Sequence, residues 1–114
     1  MKTLIIYDGG FPYRGTRPLQ EQIEMLKISG DVVSPLRLAE TLRKNEYSGI
    51  VNLHGGYILK DSWKEIMRHL RRGCGLVNIG GSPFRYPVTC RDGAFKIERE
   101  QTAYHRDMNI RNIF

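Results

Sequence analysis

The stretch LIIYDGG, residues 4–10, is the first of three apolar runs that end in paired glycines. The other two runs are IVNLHGG at residues 50–56 and LVNIGGS at residues 76–82. Near-continuous apolar runs of this length, separated by helical stretches, are typical of buried strands in a parallel sheet. Because open α/β sheets bind ligands at the carboxyl ends of their strands, the glycine pairs mark the expected rim of a pocket.

The segments between these runs predict helices and one further strand. Thr16 and Pro18 open a first helix that ends at Gly30, and a short strand is expected at residues 31–33. The dipeptide Ser34-Pro35 supplies an N-cap and a first helical residue, so a second helix is expected to begin there.

The third helix has the clearest pattern. Asp61 is expected to cap it, and Gly73 suits its carboxyl end. Its apolar residues follow the i, i+3, i+4, i+7 spacing of a face that packs on a core: Trp63, Ile66, Met67 and Leu70. The alternation of strands and helices predicts a flavodoxin-like three-layer α/β/α fold with a parallel sheet in the order 2-1-3-4. The first and third strands are neighbours in that order.

The chain changes character after Phe84. Residues 88–90 and 94–97, joined around Asp92-Gly93, predict a β-hairpin. Residues 101–108 predict a short helix. The sequence therefore predicts a C-terminal hairpin and helix beside the α/β core.

The size and composition fit one globular domain. We expect a single domain over residues 1–114, with an α/β core at 2–84 and an appendage at 85–114. The chain is 40% hydrophobic and 26% charged, which is ordinary for a folded protein. Its apolar end, Ile113-Phe114, indicates a fragment of a longer protein.

The charge distribution bears on the expected partners, and the cysteines bear on the expected cellular compartment. The formal net charge of +6 is spread along the chain, with one local cluster at the end of the third predicted helix: Arg68, Arg71 and Arg72. Basic side chains favour a helix carboxyl end, so this cluster does not make nucleic acid an expected partner. The apolar runs are far shorter than the roughly 20 residues that a membrane span needs, so a membrane is not an expected partner either. Cys74 and Cys90 lack metal-ligand spacing and predict free thiols. Free thiols and the lack of a signal sequence slightly favour the cytoplasm.

Candidate functional residues lie on the rim that the glycine pairs mark. The candidate catalytic residues are Asp8, His54 and Ser82, which follow three of the predicted strands. His54 can act as a base, or it can be a structural histidine bonded to a loop carbonyl. Asp8 can pair with His54, bind a hydroxyl or cap a turn. The glycines that can present backbone N–H groups to a ligand, or simply form sharp turns, are Gly9, Gly10, Gly55, Gly56, Gly80 and Gly81.

None of these residues completes a known catalytic motif. The dinucleotide pattern GxGxxG is missing after the first strand, and the sequence contains no Walker pattern ending in Gly-Lys-Ser/Thr. Pro83 and Phe84 follow Ser82 where a nucleophile elbow needs a helix, and Cys74 precedes its strand at the opposite edge of the sheet. The sequence predicts no metal and no cofactor.

Residues 75–84, GLVNIGGSPF, resemble the class I glutamine amidotransferase-like superfamily. The chain is more closely similar to its noncatalytic version that accompanies glycoside hydrolases, including the trimerisation-type domain of certain β-galactosidases. The likeness covers residues 2–84 and, more faintly, 87–110. In amidotransferases the fourth strand ends in a GxCxG elbow and a later strand carries His-x-Glu. Residues 78–82 contain no cysteine here, and His105-Arg106-Asp107 falls in a predicted helix.

The resemblance thus implies the fold and counts against glutaminase activity. It predicts a noncatalytic domain of a carbohydrate-processing protein that packs against other domains or another protomer. The expected partners are the remaining domains of a parent chain, a second copy and a carbohydrate. Two alternatives stay open. One is a small hydrolase using His54 and Asp8 with backbone donors at Gly55 and Gly81, and the other is a regulatory domain that binds a small anion.

Overall fold

Strands and helices alternate along the chain, as the apolar runs predict. The computed structural model describes residues 2–12, 19–79 and 85–99. The elements within those ranges are β1 (Thr3–Ile6), α1 (Gln20–Ser29), β2 (Asp31–Val33), α2 (Pro35–Lys44), β3 (Gly49–Asn52), β4 (Tyr57–Leu59), α3 (Trp63–Arg71), β5 (Gly75–Asn78), β6 (Tyr86–Arg91) and β7 (Ala94–Ile97). The predicted helix start at Thr16 and Pro18, the predicted helix at 101–108 and the apolar end at 113–114 lie outside the described residues.

The first sheet is parallel, and its strands follow in the order β2-β1-β3-β5. Ile5 of β1 lies between Val32 of β2 and Val51 of β3, and Val51 is in register with Val77 of β5. The prediction that the first and third strands are neighbours is confirmed, since β1 pairs with β3, and these strands contain the first and second apolar runs. Their carboxyl ends, which carry Asp8 and His54, therefore lie at the same edge of the sheet.

The main core lies between this sheet and the pair of helices α2 and α3, which contact each other. Alternate residues of the strands, including Leu4, Ile6 and Ile50, enter it together with helix residues Leu38, Leu42 and Ile66. Ile5 points to the other face because side chains alternate along a strand, and it is only 2% exposed. Ser34 caps α2 as predicted, since its Oγ accepts a hydrogen bond from the backbone N–H of Leu36.

The start of the third helix differs from the prediction. Asp61 does not cap it; it lies exposed in a 3₁₀ turn, Lys60–Ser62, that precedes α3. Ser62 occupies the N-cap position, and its hydroxyl donates instead to the carbonyl of Leu59 at 2.7 Å. That carbonyl ends β4, a strand that was not predicted from the sequence.

The second sheet joins β4 to the C-terminal hairpin in the order β4-β6-β7. β4 pairs with β6 in parallel, and β6 pairs with β7 antiparallel. The predicted hairpin around Asp92-Gly93 is confirmed, and both turn residues have positive φ, 51° and 78°. Val88 of β6 packs with Phe11 and Leu59 in a second core cluster. The hairpin is therefore bound to the preceding part of the chain by backbone pairing and by packing.

Within the described ranges, no helix combines the length and the apolar character that crossing a bilayer requires.

Candidate functional site

The carboxyl edge of the first sheet brings Asp8 and His54 together, as the strand order predicts, and the two residues are joined by a hydrogen bond. The backbone N–H of Asp8 donates to Nε2 of His54 at 3.1 Å. The other ring nitrogen, Nδ1, lies 3.1 Å from the carbonyl oxygen of Pro12. A carbonyl can only accept, so Nδ1 carries the proton and Nε2 is the acceptor. The backbone thus fixes His54 as one neutral tautomer.

Burial favours the same neutral state of His54. Its side chain is 0% exposed, and desolvation lowers its pKa below the ordinary value of 6.5. The hydrogen bond to Pro12 and the charge of Asp8 oppose that shift without reversing it. Protonation of Nε2 would also place its N–H against the N–H of Asp8. At neutral pH the His54 ring is therefore uncharged and serves as a structural hydrogen-bonding group.

Two aromatic rings enclose the imidazole. Tyr7 stacks on His54 with ring centroids 5.6 Å apart and an angle of 15° between the planes. Phe11 meets the same ring edge-on at 4.9 Å, and it also meets the ring of Phe95 of the hairpin edge-on at 5.1 Å. His54 therefore links the loop after β1 with the loop after β3, and Phe11 continues that packing to the second sheet.

The carboxylate of Asp8 is held by neighbours on both oxygens. Oδ1 accepts from the backbone N–H of Gly10 at 2.8 Å, which is an Asx-type turn, and Oδ2 accepts from the hydroxyl of Ser34 at 2.9 Å. Of the roles left open for Asp8, the structure shows the turn-forming one, and the hydroxyl that the carboxylate binds belongs to Ser34 of the chain itself. The N-terminus of α2 therefore lies beside Asp8, which was not predicted from the sequence.

A pair of asparagines adds a polar network that was not predicted from the sequence. Asn52 and Asn78 end β3 and β5 in matching register, and the side-chain amide of Asn52 donates to Oδ1 of Asn78 at 2.8 Å. Both amides also donate to the carbonyl of Gly55, at 3.3 Å and 2.8 Å. The available signal was the recurrence of asparagine after two apolar residues in the second and third runs, IVN and LVN.

The glycines of the two described pairs form the loops of this edge. Gly9 and Gly10 lie in the turn after β1, and Gly55 and Gly56 are buried in the turn after β3. Gly55 has φ of 62°, a conformation that favours glycine. Gly80, Gly81 and Ser82 lie outside the described residues. Ligand binding by these glycines stays a prediction.

The space beneath this edge is small. A cavity of about 10 Å³ lies among Ile6, Phe11, Pro35, Asn52 and Tyr57, with other apolar residues around it. That volume is about the size needed for one water molecule. Among residues 2–12, 19–79 and 85–99, no three His, Cys, Asp or Glu side chains are placed to hold a metal ion.

The two cysteines differ in their surroundings. Cys74 is buried at the amino edge of the sheet, where burial raises the pKa of its thiol, whereas Cys90 is exposed on β6. Neither forms a disulfide. Since the thiolate is the reactive form, both the burial and the pKa slow the reaction of Cys74.

We expect alkylation by iodoacetamide at neutral pH to modify Cys90 first and Cys74 at least about tenfold more slowly. Single variants Cys74→Ser and Cys90→Ser assign each rate by mass spectrometry, and labelling in denaturant gives the common intrinsic rate. Neither thiol is expected to support ammonia release from glutamine. Faster labelling of Cys74, together with glutamine hydrolysis, would overturn this expectation.

The described part of the edge is thus an array of internal hydrogen bonds around His54, Asp8 and the asparagine pair. Comparison of the chain with protein-family models, with curated proteins and with solved structures gives no match.

Proposed function

We propose that this chain is a noncatalytic amidotransferase-like domain of a carbohydrate-processing protein and that it serves contacts with other domains or with another protomer. The resemblance around residues 75–84 and the parallel order β2-β1-β3-β5 support the proposal. We take the arrangement to be flavodoxin-like, with α2 and α3 on one face and α1 on the other, because right-handed crossovers in this order require it.

The geometry of His54 supports the noncatalytic part. A general base needs a free ring nitrogen within reach of the substrate proton. Both ring nitrogens of His54 lie at hydrogen-bonding distance from backbone groups of the loop after β1. The hydrolase alternative would require His54 to give up one of these buried bonds, and Asp8 to release Ser34 or Gly10.

Exposed apolar residues on β5 and directly after it support the contact role. Val77 is 55% exposed and Ile79 is 50% exposed, and their spacing places both on the face opposite the main core. Parallel sheets are normally covered on both faces. Among the residues that the structure describes, β5 is also the last strand of its sheet. A second element packed on β5 would remove this apolar surface from water.

We expect sedimentation equilibrium to show self-association of the chain between micromolar and about millimolar concentration. The double variant Val77→Asp/Ile79→Asp should shift the equilibrium to monomer because two carboxylates cannot be buried unpaired in an apolar contact. Ile97→Asp is the matched control, since Ile97 is 48% exposed but lies on the hairpin.

Circular dichroism of the three proteins checks that each is folded. A wild-type chain that stays monomeric throughout this range would contradict contact with another protomer and would leave only contact with other domains. A loss of association that is equal in the Ile97 control would contradict contact through β5, because the effect would then not depend on β5.

A further inference from the structure

A cleft of about 370 Å³ lies at the amino edge of the first sheet, opposite the edge described above. Its lining includes Lys2, Tyr47, Ser48, His69, Arg72 and Cys74. Those residues immediately precede β1, β3 and β5 or belong to the last turn of α3 and its cap. The volume falls in the range of small-molecule sites, about 300–1,000 Å³. The feature is independent of the proposed contact role of β5.

The walls of the cleft are buried and partly apolar. Tyr47 is 7% exposed, Cys74 is 9% exposed and His69 is 2% exposed. The hydroxyl of Tyr47 donates to Asp31 at 2.9 Å, so its ring forms the wall while its polar end is bonded elsewhere. His69 lies between two carbonyl groups, with its ring nitrogens 3.1 Å from the oxygen of Glu65 and 3.2 Å from that of Asn45. The cleft is therefore lined by buried side chains that contact the body of the protein.

Two cations stand at the mouth of the cleft. Lys2 is exposed, with Nζ 5.5 Å from the centre of the Tyr47 ring. Arg72 binds a carboxylate already, since its Nη1 lies 3.1 Å from Oε1 of Glu46. The side chain of Glu46 is 85% exposed, and exposed ion pairs of this kind contribute only about 0–1 kcal/mol. A ligand that is also held by the walls can displace Glu46 at small cost.

We propose that the amino-edge cleft binds a small organic anion through a carboxylate or phosphate group held by Arg72 and Lys2, in the place that Glu46 occupies in the free protein. The guanidinium of Arg72 can bond such a group through two N–H donors, and Lys2 adds a second charge. Tyr47 and Cys74 then contact the less polar part of the ligand. Glu46 acts as an internal competitor.

The test is titration of the ¹⁵N-labelled chain with inorganic phosphate, with citrate and, as a neutral probe, with glucose. We expect saturable shifts of the amides of Ser48, Gly73 and Gly75 with at least one anion, at a Kd of about millimolar, and none with glucose. Arg72→Gln should weaken binding about tenfold, and Glu46→Gln should strengthen it about threefold. Arg91→Gln, an exposed change on the hairpin outside the cleft, should leave the affinity unchanged.

Phosphate-selective and citrate-selective shifts distinguish the two anion classes, and either one supports the site. Absence of saturable shifts with both anions up to about 50 mM, far above the Kd of a millimolar site, would overturn the proposal. Equal anion affinities of the Arg72→Gln and Arg91→Gln variants would also overturn the proposal. Arg72 would then only stabilise the carboxyl end of α3 electrostatically. The β5 double variant should bind the anion normally, so failure here is separable from failure of the contact role.

Discussion

Replacing His54 by alanine is expected to lower the free energy of unfolding by about 3 kcal/mol, measured by urea denaturation. The ring is fully buried between Tyr7 and Phe11, so its removal leaves a cavity. It also leaves the N–H of Asp8 and the carbonyl of Pro12 without their bonds to the ring. Both losses loosen the loop after β1 from the loop after β3.

His54→Phe separates the packing from the hydrogen bonds. Phenylalanine fills most of the ring volume but cannot bond Asp8 or Pro12, so we expect it to cost less than alanine and still about 1–3 kcal/mol. If the phenylalanine variant matched the wild-type stability, the hydrogen bonds of His54 would contribute nothing, and the structural role assigned to the ring would be wrong.

The same residue predicts how stability changes with pH. The pKa of His54 is lowered in the folded chain relative to the ordinary value of 6.5, so the unfolded chain binds the proton first as the pH falls. The contribution of His54 is therefore complete above about pH 6.5 and is lost progressively as the pH drops toward the folded pKa. His54→Phe should show a flatter dependence of unfolding free energy on pH between about 7 and 5 than the wild type. Identical slopes in the two proteins would contradict the lowered pKa.

Gly30→Ala should destabilise the chain by about 2–3 kcal/mol through a steric clash. A Cβ atom at this position would lie 2.4 Å from the backbone oxygen of Thr3 and 3.2 Å from its carbonyl carbon. The φ of Gly30 is −177°, which any residue adopts, so the effect does not come from backbone strain. Thr3 cannot move aside easily because it belongs to β1 and lies in register with Gly49 of β3.

Gly75→Ala is the matched control for this substitution. A Cβ atom on Gly75 would have its nearest neighbour, the carbonyl oxygen of Ser48, at 3.9 Å, an ordinary contact. Its urea midpoint should therefore stay close to that of the wild type, within about 0.5 kcal/mol. Equal losses in both variants would mean that the tight approach of Gly30 to β1 does not limit stability.

Short sequence patterns predicted those elements that are fixed by interactions between residues close together in the chain. The hairpin turn follows from Asp92-Gly93 because that dipeptide adopts positive φ readily, and α2 begins at Ser34-Pro35 because the cap and the fixed φ act within a few residues. The apolar runs predicted the parallel strands, because the strands of parallel sheets are typically apolar almost throughout. The prediction that Asp61 caps α3 was wrong because a 3₁₀ turn follows β4 and contains Asp61, so the helix begins after that turn.

Contacts between distant residues decided the rest. The three-residue strand β4 is too short to show a period, and it exists because β6, far along the chain, pairs with it. His54 could be a base or a structural group from its sequence position alone. Its role followed from the N–H of Asp8, 46 residues earlier, and the carbonyl of Pro12, 42 residues earlier. Sequence patterns thus determined which segments form most of the strands and helices. The protonation state of the buried His54 ring depended instead on backbone groups that only the folded chain brings within hydrogen-bonding distance.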